Sequence, residues 1–297
     1  MEQSISPLRW TLKKTARMGT VLGSLVTGQV GFGHTSSPAS RIRVLTYHRF
    51  GPSCRDPFCV SREAFEAQMA WLAEHKLAIS LTDLERFLKG QQALPNGAAL
   101  VTIDDGYRSI YTEALPILKK YNIPAVVFLT VGAIQDEAQP FDPASPEPEP
   151  HLTWQEVREL EAAGITIASH GWTHRSIGKL SPEEATEEAV RSHTQLQAQL
   201  GHPVSAFAYP FGTLADFNDD TAKLLHTAGY QYVFTSQHGA VQQQVDPLVI
   251  PRVKVESGEP LWQFQLLVRG GLDAWQLVDQ TLWKLQQTPS GTLSSTS

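Results

Sequence analysis

Leu100-Val-Thr-Ile-Asp-Asp-Gly-Tyr107 is an apolar run that stops at two adjacent carboxylates and a glycine. A run this short and β-prone reads as a strand buried on both faces, the kind found in parallel sheets. Neighbouring acids on extended backbone point to opposite sides, so a sharp turn, which Gly106 permits, is needed to bring both into one pocket. Outward from this segment, similar candidate strands recur at 42–47, 77–80, 98–103, 125–130, 165–169, 205–209, 231–234 and 249–253, with helix-like segments between them. Thr153-Trp-Gln-Glu156 and Ser181-Pro-Glu-Glu184 are capping boxes that start two of those helices, the second with Pro182 at the first helical position. Such alternation is the α/β signature. No glycine-rich phosphate loop follows the first strand, so the expectation is a (β/α) barrel with its active site at the strand ends.

The chain has 297 residues, 41% hydrophobic and 18% charged, which excludes a mostly disordered, collagen-like or coiled-coil protein. A net charge of −6 has the wrong sign for nucleic-acid binding through a general basic field. Cys54 and Cys59 are too few for a disulfide framework and read as free thiols, with a local pair the alternative in an exported chain. Residues 1–40 form a leader in which Arg9, Lys13, Lys14 and Arg17 precede a diluted apolar stretch, 18–33. It imitates a signal peptide but falls short of the ~20 apolar residues of a membrane span. Two expectations stand for it: export or peripheral membrane association, or a disordered or surface-packed segment. The first would place the protein in the bacterial cell envelope, the second leaves it cytoplasmic. The barrel is assigned to 41–255, interrupted by a solvated, mobile loop at 136–150. Residues 256–288 carry C-terminal helices at 260–269 and 273–287, the latter packed through Trp275, Val278, Leu282 and Leu285, and 289–297 form a disordered tail.

Ile165-Thr-Ile-Ala-Ser-His-Gly-Trp-Thr-His174 again places polar residues where an apolar strand stops. His170 and His174 are four apart, so one helical turn sets both imidazoles on one side, a spacing used for paired metal ligands. One carboxylate from the first segment completes a shell of two His and one Asp with a position left for water, suited to zinc or a similar divalent cation. Val44-Leu-Thr-Tyr-His48 brings a third histidine to the same rim, and Phe207-Ala-Tyr-Pro-Phe-Gly212 makes a turn able to aim a backbone N–H into the cleft.

Thr102-Ile-Asp-Asp-Gly106, Ser169-His-Gly-Trp-Thr-His174 and Ala208-Tyr-Pro-Phe-Gly212, in this order, resemble the first three motifs of the polysaccharide deacetylases, the NodB-homology group or carbohydrate esterase family 4. Thr46-Tyr-His48 and Ile250-Pro-Arg-Val253 further resemble the branch that includes poly-β-1,6-N-acetylglucosamine deacetylases. The resemblance implies an irregular (β/α)7 TIM-like barrel and removal of N-acetyl groups from an amino-sugar polymer, a hydrolysis of linear amide bonds. It implies Asp105, His170 and His174 as ligands of a divalent metal, with zinc the default and cobalt or nickel also accommodated. By the same resemblance Asp104 takes the proton of the attacking water, the Phe211 N–H stabilises the oxyanion, and His48 protonates the leaving amine.

The sequence departs from the wider family at Ala208, where an arginine is usual, and at Gly171, where Ser or Thr is usual. Arg252 is the candidate to supply the missing guanidinium. No clear Leu-x-His occurs near the C-terminus, a second reason to assign the acid to His48. Tyr107, Trp172 and Tyr209 are candidate sugar platforms, since pyranose C–H faces stack on aromatic rings; Trp71, Trp154 and Trp262 are assigned to the core. The rival readings are a catalytically silent carbohydrate-binding barrel and a deacetylase of a lipid-linked sugar or small amide.

Overall fold

The computed structural model describes residues 7–26, 36–37, 39–52, 56–138 and 149–286. Most of the loop expected at 136–150, the tail from 287, Cys54 and, in the leader, residues 1–6, 27–35 and 38 lie outside the described residues.

Seven parallel strands form one curled sheet: β1 (Arg43–Tyr47), β2 (Ala99–Ile103), β3 (Ala125–Leu129), β4 (Thr166–Ser169), β5 (Ala206–Ala208), β6 (Tyr232–Phe234) and β7 (Val253–Lys254), in the order β6-β5-β4-β3-β2-β1-β7. Every residue of β1, β2 and β3 is buried, as expected for strands covered on both faces. The edges β6 and β7 are not paired directly. Ile250, just before β7, bridges Phe234, with Thr235 N–H donating to Ile250 O at 2.9 Å and Ile250 N–H donating to Val233 O at 2.8 Å. That contact nearly closes the barrel and makes it irregular. The segment read as a strand at 77–80 gives only a bridge from Ala78 to Ala99, because a helix begins at Leu81 and Ser80 is already its N-cap. At the far edge, the strand expected at 249–253 is shifted to Val253–Lys254.

Around the sheet lie α1 (Pro7–Val26), α2 (Arg62–Glu74), α3 (Leu81–Leu88), α4 (Leu115–Tyr121), α5 (Trp154–Ala162), α6 (Pro182–Leu200), α7 (Asp219–Thr227), α8 (Leu261–Val268) and α9 (Trp275–Gln286). Reciprocal capping boxes start α5 at Thr153 and α6 at Ser181, and Gly201 in the left-handed region ends α6. Trp71 and Trp154 are buried as expected, but Trp262 is 40% exposed and corrects its assignment to the core. Over 7–26 the leader is a surface-packed helix and not a disordered segment. There α1 is held by Arg17, which is 1% exposed and donates to Glu259 at 2.6 Å and to Lys254 O at 2.9 Å. Lys13 and Lys14 pair with Glu256 at 2.7 and 3.2 Å. Three basic residues of the leader thus anchor a docked helix. No helix among the described residues is long and apolar enough to cross a membrane.

Candidate active site and metal centre

β2 leads directly into Asp104, whose N–H donates to Tyr47 O on β1 at 2.9 Å. The chain then reverses: Asp105 and Gly106 both adopt left-handed conformations, φ 73° and 85°. The turn is packed so closely that a Cβ on Gly106 would lie 2.9 Å from Leu129 Cδ2, which is why glycine is required. The two carboxylates thereby acquire different surroundings.

Asp104, 2% exposed, receives a fork from Arg252: Nη1 donates to Oδ1 and Nη2 to Oδ2, both at 2.7 Å. Arg252 is itself oriented by its Nε donating to Thr235 O at 2.8 Å and lies over the Phe128 ring. Burial pushes the Asp104 pKa up, but the Arg252 charge and hydrogen bonds override it and hold the carboxyl below its ordinary value.

Asp105 faces the histidines instead. Its Oδ1 lies 3.3 Å from His170 Nε2 and 3.3 Å from His174 Nε2. His170 leaves β4 with its N–H donating to Leu129 O, and its Nδ1 bonds Ala208 O at 2.7 Å. A carbonyl only accepts, so Nδ1 is the donor, the tautomer in which Nε2 is the ring atom left to bind a cation. The expectation that one helical turn brings the two histidines together is corrected: 171–176 is irregular, with Gly171 at φ 83° and His174 at φ 60°. Buried Glu188 on α6 shapes this loop by accepting from the N–H groups of Trp172 (2.8 Å) and Thr173 (2.9 Å) and from the Thr173 hydroxyl. A Cβ on Gly171 would sit 3.3 Å from that carboxylate, so the departure from Ser or Thr has a local cause.

Asp105, His170 and His174 offer one ligand atom each, all within 4.8 Å of one another. Asp105 Oδ1 is buried without a hydrogen-bond partner. An anionic oxygen 3.3 Å from the lone pair of Nε2 is a repulsive arrangement unless a cation lies between them. Ligand bonds of ~2.0–2.1 Å in a tetrahedron put neighbouring ligand atoms about 3.3 Å apart, so the set fits a divalent cation.

The other predicted positions are distributed unevenly. His48 is half-buried at the rim, its ring 4.7 Å from Phe58; burial lowers its pKa, and Asp105 and Asp104 partly restore it. Phe211 adopts φ 63°, its ring is 4.9 Å from that of His174, and its N–H bonds no described residue. Tyr209 corrects its assignment as a sugar platform: it is fully buried, stacked on Phe217 with its hydroxyl near Thr221, so no substrate reaches it. Trp172 is half-buried with the Arg191 guanidinium 4.0 Å from its ring centroid. Tyr107 stands at the rim with two ring partners, His151 and Arg49. Sequence reasoning missed His151 and Glu188. His151 follows a proline-rich stretch without periodicity, and Glu188 has the spacing of any acid on a solvated helix.

A curled parallel barrel with an aspartate and two histidines converging beyond its strand ends defines a single-metal hydrolase class. Residues 91–233 match the family model for polysaccharide deacetylase, and that segment is a polysaccharide deacetylase domain. The chain is 30% identical over 238 residues to the poly-beta-1,6-N-acetyl-D-glucosamine N-deacetylase of Escherichia coli K12, covering 69% of this chain but only 35% of that protein. The enzyme of the same name from Staphylococcus aureus MRSA252 is 27% identical, with 67% of this chain and 69% of the relative covered. Among solved structures, IcaB from Ammonifex degensii superposes with a TM-score of 0.63 and 25% identity, covering 78% of this chain and 97% of that one.

Proposed function

We propose that this protein removes N-acetyl groups from a polymer of N-acetylated amino sugars, a β-1,6-linked N-acetylglucosamine chain being the first substrate to test. The convergence of Asp105, His170 and His174 beside an Arg252-oriented Asp104 carries the reading. A divalent cation held by the first three, zinc by the chemistry of the donor set, supplies Lewis-acid polarisation of the acetyl carbonyl and acidifies water.

The chain's own groups do the rest. Asp104, fixed on both oxygens by the guanidinium, keeps lone pairs free to accept the proton of the attacking water. The Phe211 N–H donates to the oxyanion that develops on the acetyl group. His48 delivers the proton that the leaving amine requires. Burial lowers the His48 pKa, which makes its imidazolium a stronger acid toward the amine, and the proton that Asp104 takes from water balances the one His48 gives up when the two groups re-equilibrate through solvent.

Acetate release from a β-1,6-linked N-acetylglucosamine oligomer, measured before and after chelation and with zinc restored, tests the proposal. Metal-dependent acetate release is expected. Tight oligomer binding without any acetate marks a silent binding barrel and refutes the proposal.

A further inference from the structure

Resting on the deacetylase reading above, we propose that His151 is a substrate-positioning residue whose imidazole forms one wall of the cleft and holds the pyranose that carries the scissile acetamide. Its backbone is clamped to the turn that carries Asp105: Arg108 N–H donates to Pro150 O at 2.9 Å and Leu152 N–H donates to Gly106 O at 2.9 Å. On its other side Gln135 N–H donates to Leu152 O at 2.9 Å. Residues 150–152 are therefore held at a fixed register beside the site.

The ring is placed as firmly as the backbone. It stacks on Tyr107, centroids 4.9 Å apart and planes 23° from parallel, while the Arg49 guanidinium lies over the same tyrosine. Tyr107 is thus engaged by two protein groups, and half-buried His151 is the member of the stack that has only one ring partner. Neither of its ring nitrogens hydrogen-bonds a described residue. Burial lowers its pKa while Asp105 pulls it up and His174 pushes it down, so the ring stands within electrostatic reach of both metal-ligand candidates. A neutral imidazole offers a flat face for pyranose C–H groups, one donor and one acceptor. That is the equipment for orienting a hydroxylated ring, and a purely structural rim would have tied those nitrogens to the protein.

The experiment compares wild type with His151→Ala and His151→Phe on a β-1,6-linked N-acetylglucosamine oligomer, with bound metal and melting temperature measured for each. His151→Ala is expected to raise KM about tenfold, the equivalent of one lost hydrogen bond and part of a stack, with kcat changed far less and metal content intact. His151→Phe keeps the stack and recovers part of that loss. A wild-type KM in both variants, or a loss that tracks lower metal content or melting temperature, overturns the inference. A wild type that releases no acetate defeats the deacetylase reading itself, and this inference with it.

Discussion

Replacing Arg252 tests whether the geometry around Asp104 is a catalytic device or a packing detail. The pair is bidentate at 2.7 Å on both arms, with side-chain exposures of 0% and 2%. Arg252→Ala leaves a buried carboxylate without its partner, which in other proteins costs about 3–5 kcal/mol. The Arg252→Met, Asp104→Asn double variant removes both charges and is expected to recover much of that loss, with a coupling of roughly 2–3 kcal/mol between the sites. Arg252→Lys keeps the charge but not the planar fork and should fall between them. Urea unfolding followed by fluorescence gives the stabilities, and initial rates of acetate release give kcat/KM. Turnover is expected to fall by about 10²–10⁴ in every variant, including the restabilised double one, since each disturbs the positioned base. Stability losses below about 1 kcal/mol for Arg252→Ala, or strict additivity in the cycle, would refute the ion-pair reasoning. Normal turnover in the double variant would remove Asp104 from the mechanism.

His174→Ala takes one of three ligand atoms from the cluster, so elemental analysis after dialysis should show the metal lost. Affinity should fall by more than the roughly 10–100-fold that follows loss of a ligand's outer hydrogen-bond partner, and unchanged stoichiometry counts against the site. The docking of α1 is expected to depend on pH through Glu256. Burial raises this carboxyl's pKa, but Arg17, Lys13 and Lys14 together depress it far below its ordinary value. Its stabilisation is therefore complete above the unfolded pKa of about 4.3 and drains away as pH falls toward the depressed folded value. Amide exchange over 7–26 should be slow at pH 7 and accelerate, after correction for intrinsic rates, below about pH 4; equal protection at both refutes the anchor.

The alternating strands were legible in the sequence because burial on both faces demands apolar runs, and capping boxes at Thr153 and Ser181 mark helix starts chemically. Asp104, Asp105, His170 and His174 stood out because charged and polar groups directly after apolar strands have no packing reason to be there. What stayed hidden depends on distant partners. Arg17 and the lysines near it become an anchor only once Glu256 and Glu259 arrive from the other end of the chain. Glu188 acts through the backbone of a loop that no pattern connects to α6. Tyr209 resembled a platform because it neighbours a motif, yet strand alternation turns it into the core, against Phe207 and Phe217.

Backbone conformation ties the site together. Among the described residues five non-glycine positions have positive φ. Asn122 caps α4, and Lys76 follows α2, ordinary places for a left-handed residue. The other three are Asp105, His174 and Phe211, one from each strand-end motif, and glycines at 106 and 212 continue two of the turns in the same region. Such conformations cost on the order of 1–3 kcal/mol each and persist only where surrounding structure imposes them. Here the imposing contacts are visible: Gly106 packed under Leu129, Glu188 gripping the His174 loop, and Gly212 so close to Ser236 that a Cβ would stand 2.5 Å from its nitrogen. Relaxing Asp105 or His174 to an extended conformation would turn a carboxylate or an imidazole away from the shared cluster of ligand atoms. The fold therefore spends stability to aim these two groups, and the strained Phe211 turn packs its ring against His174 at the same place.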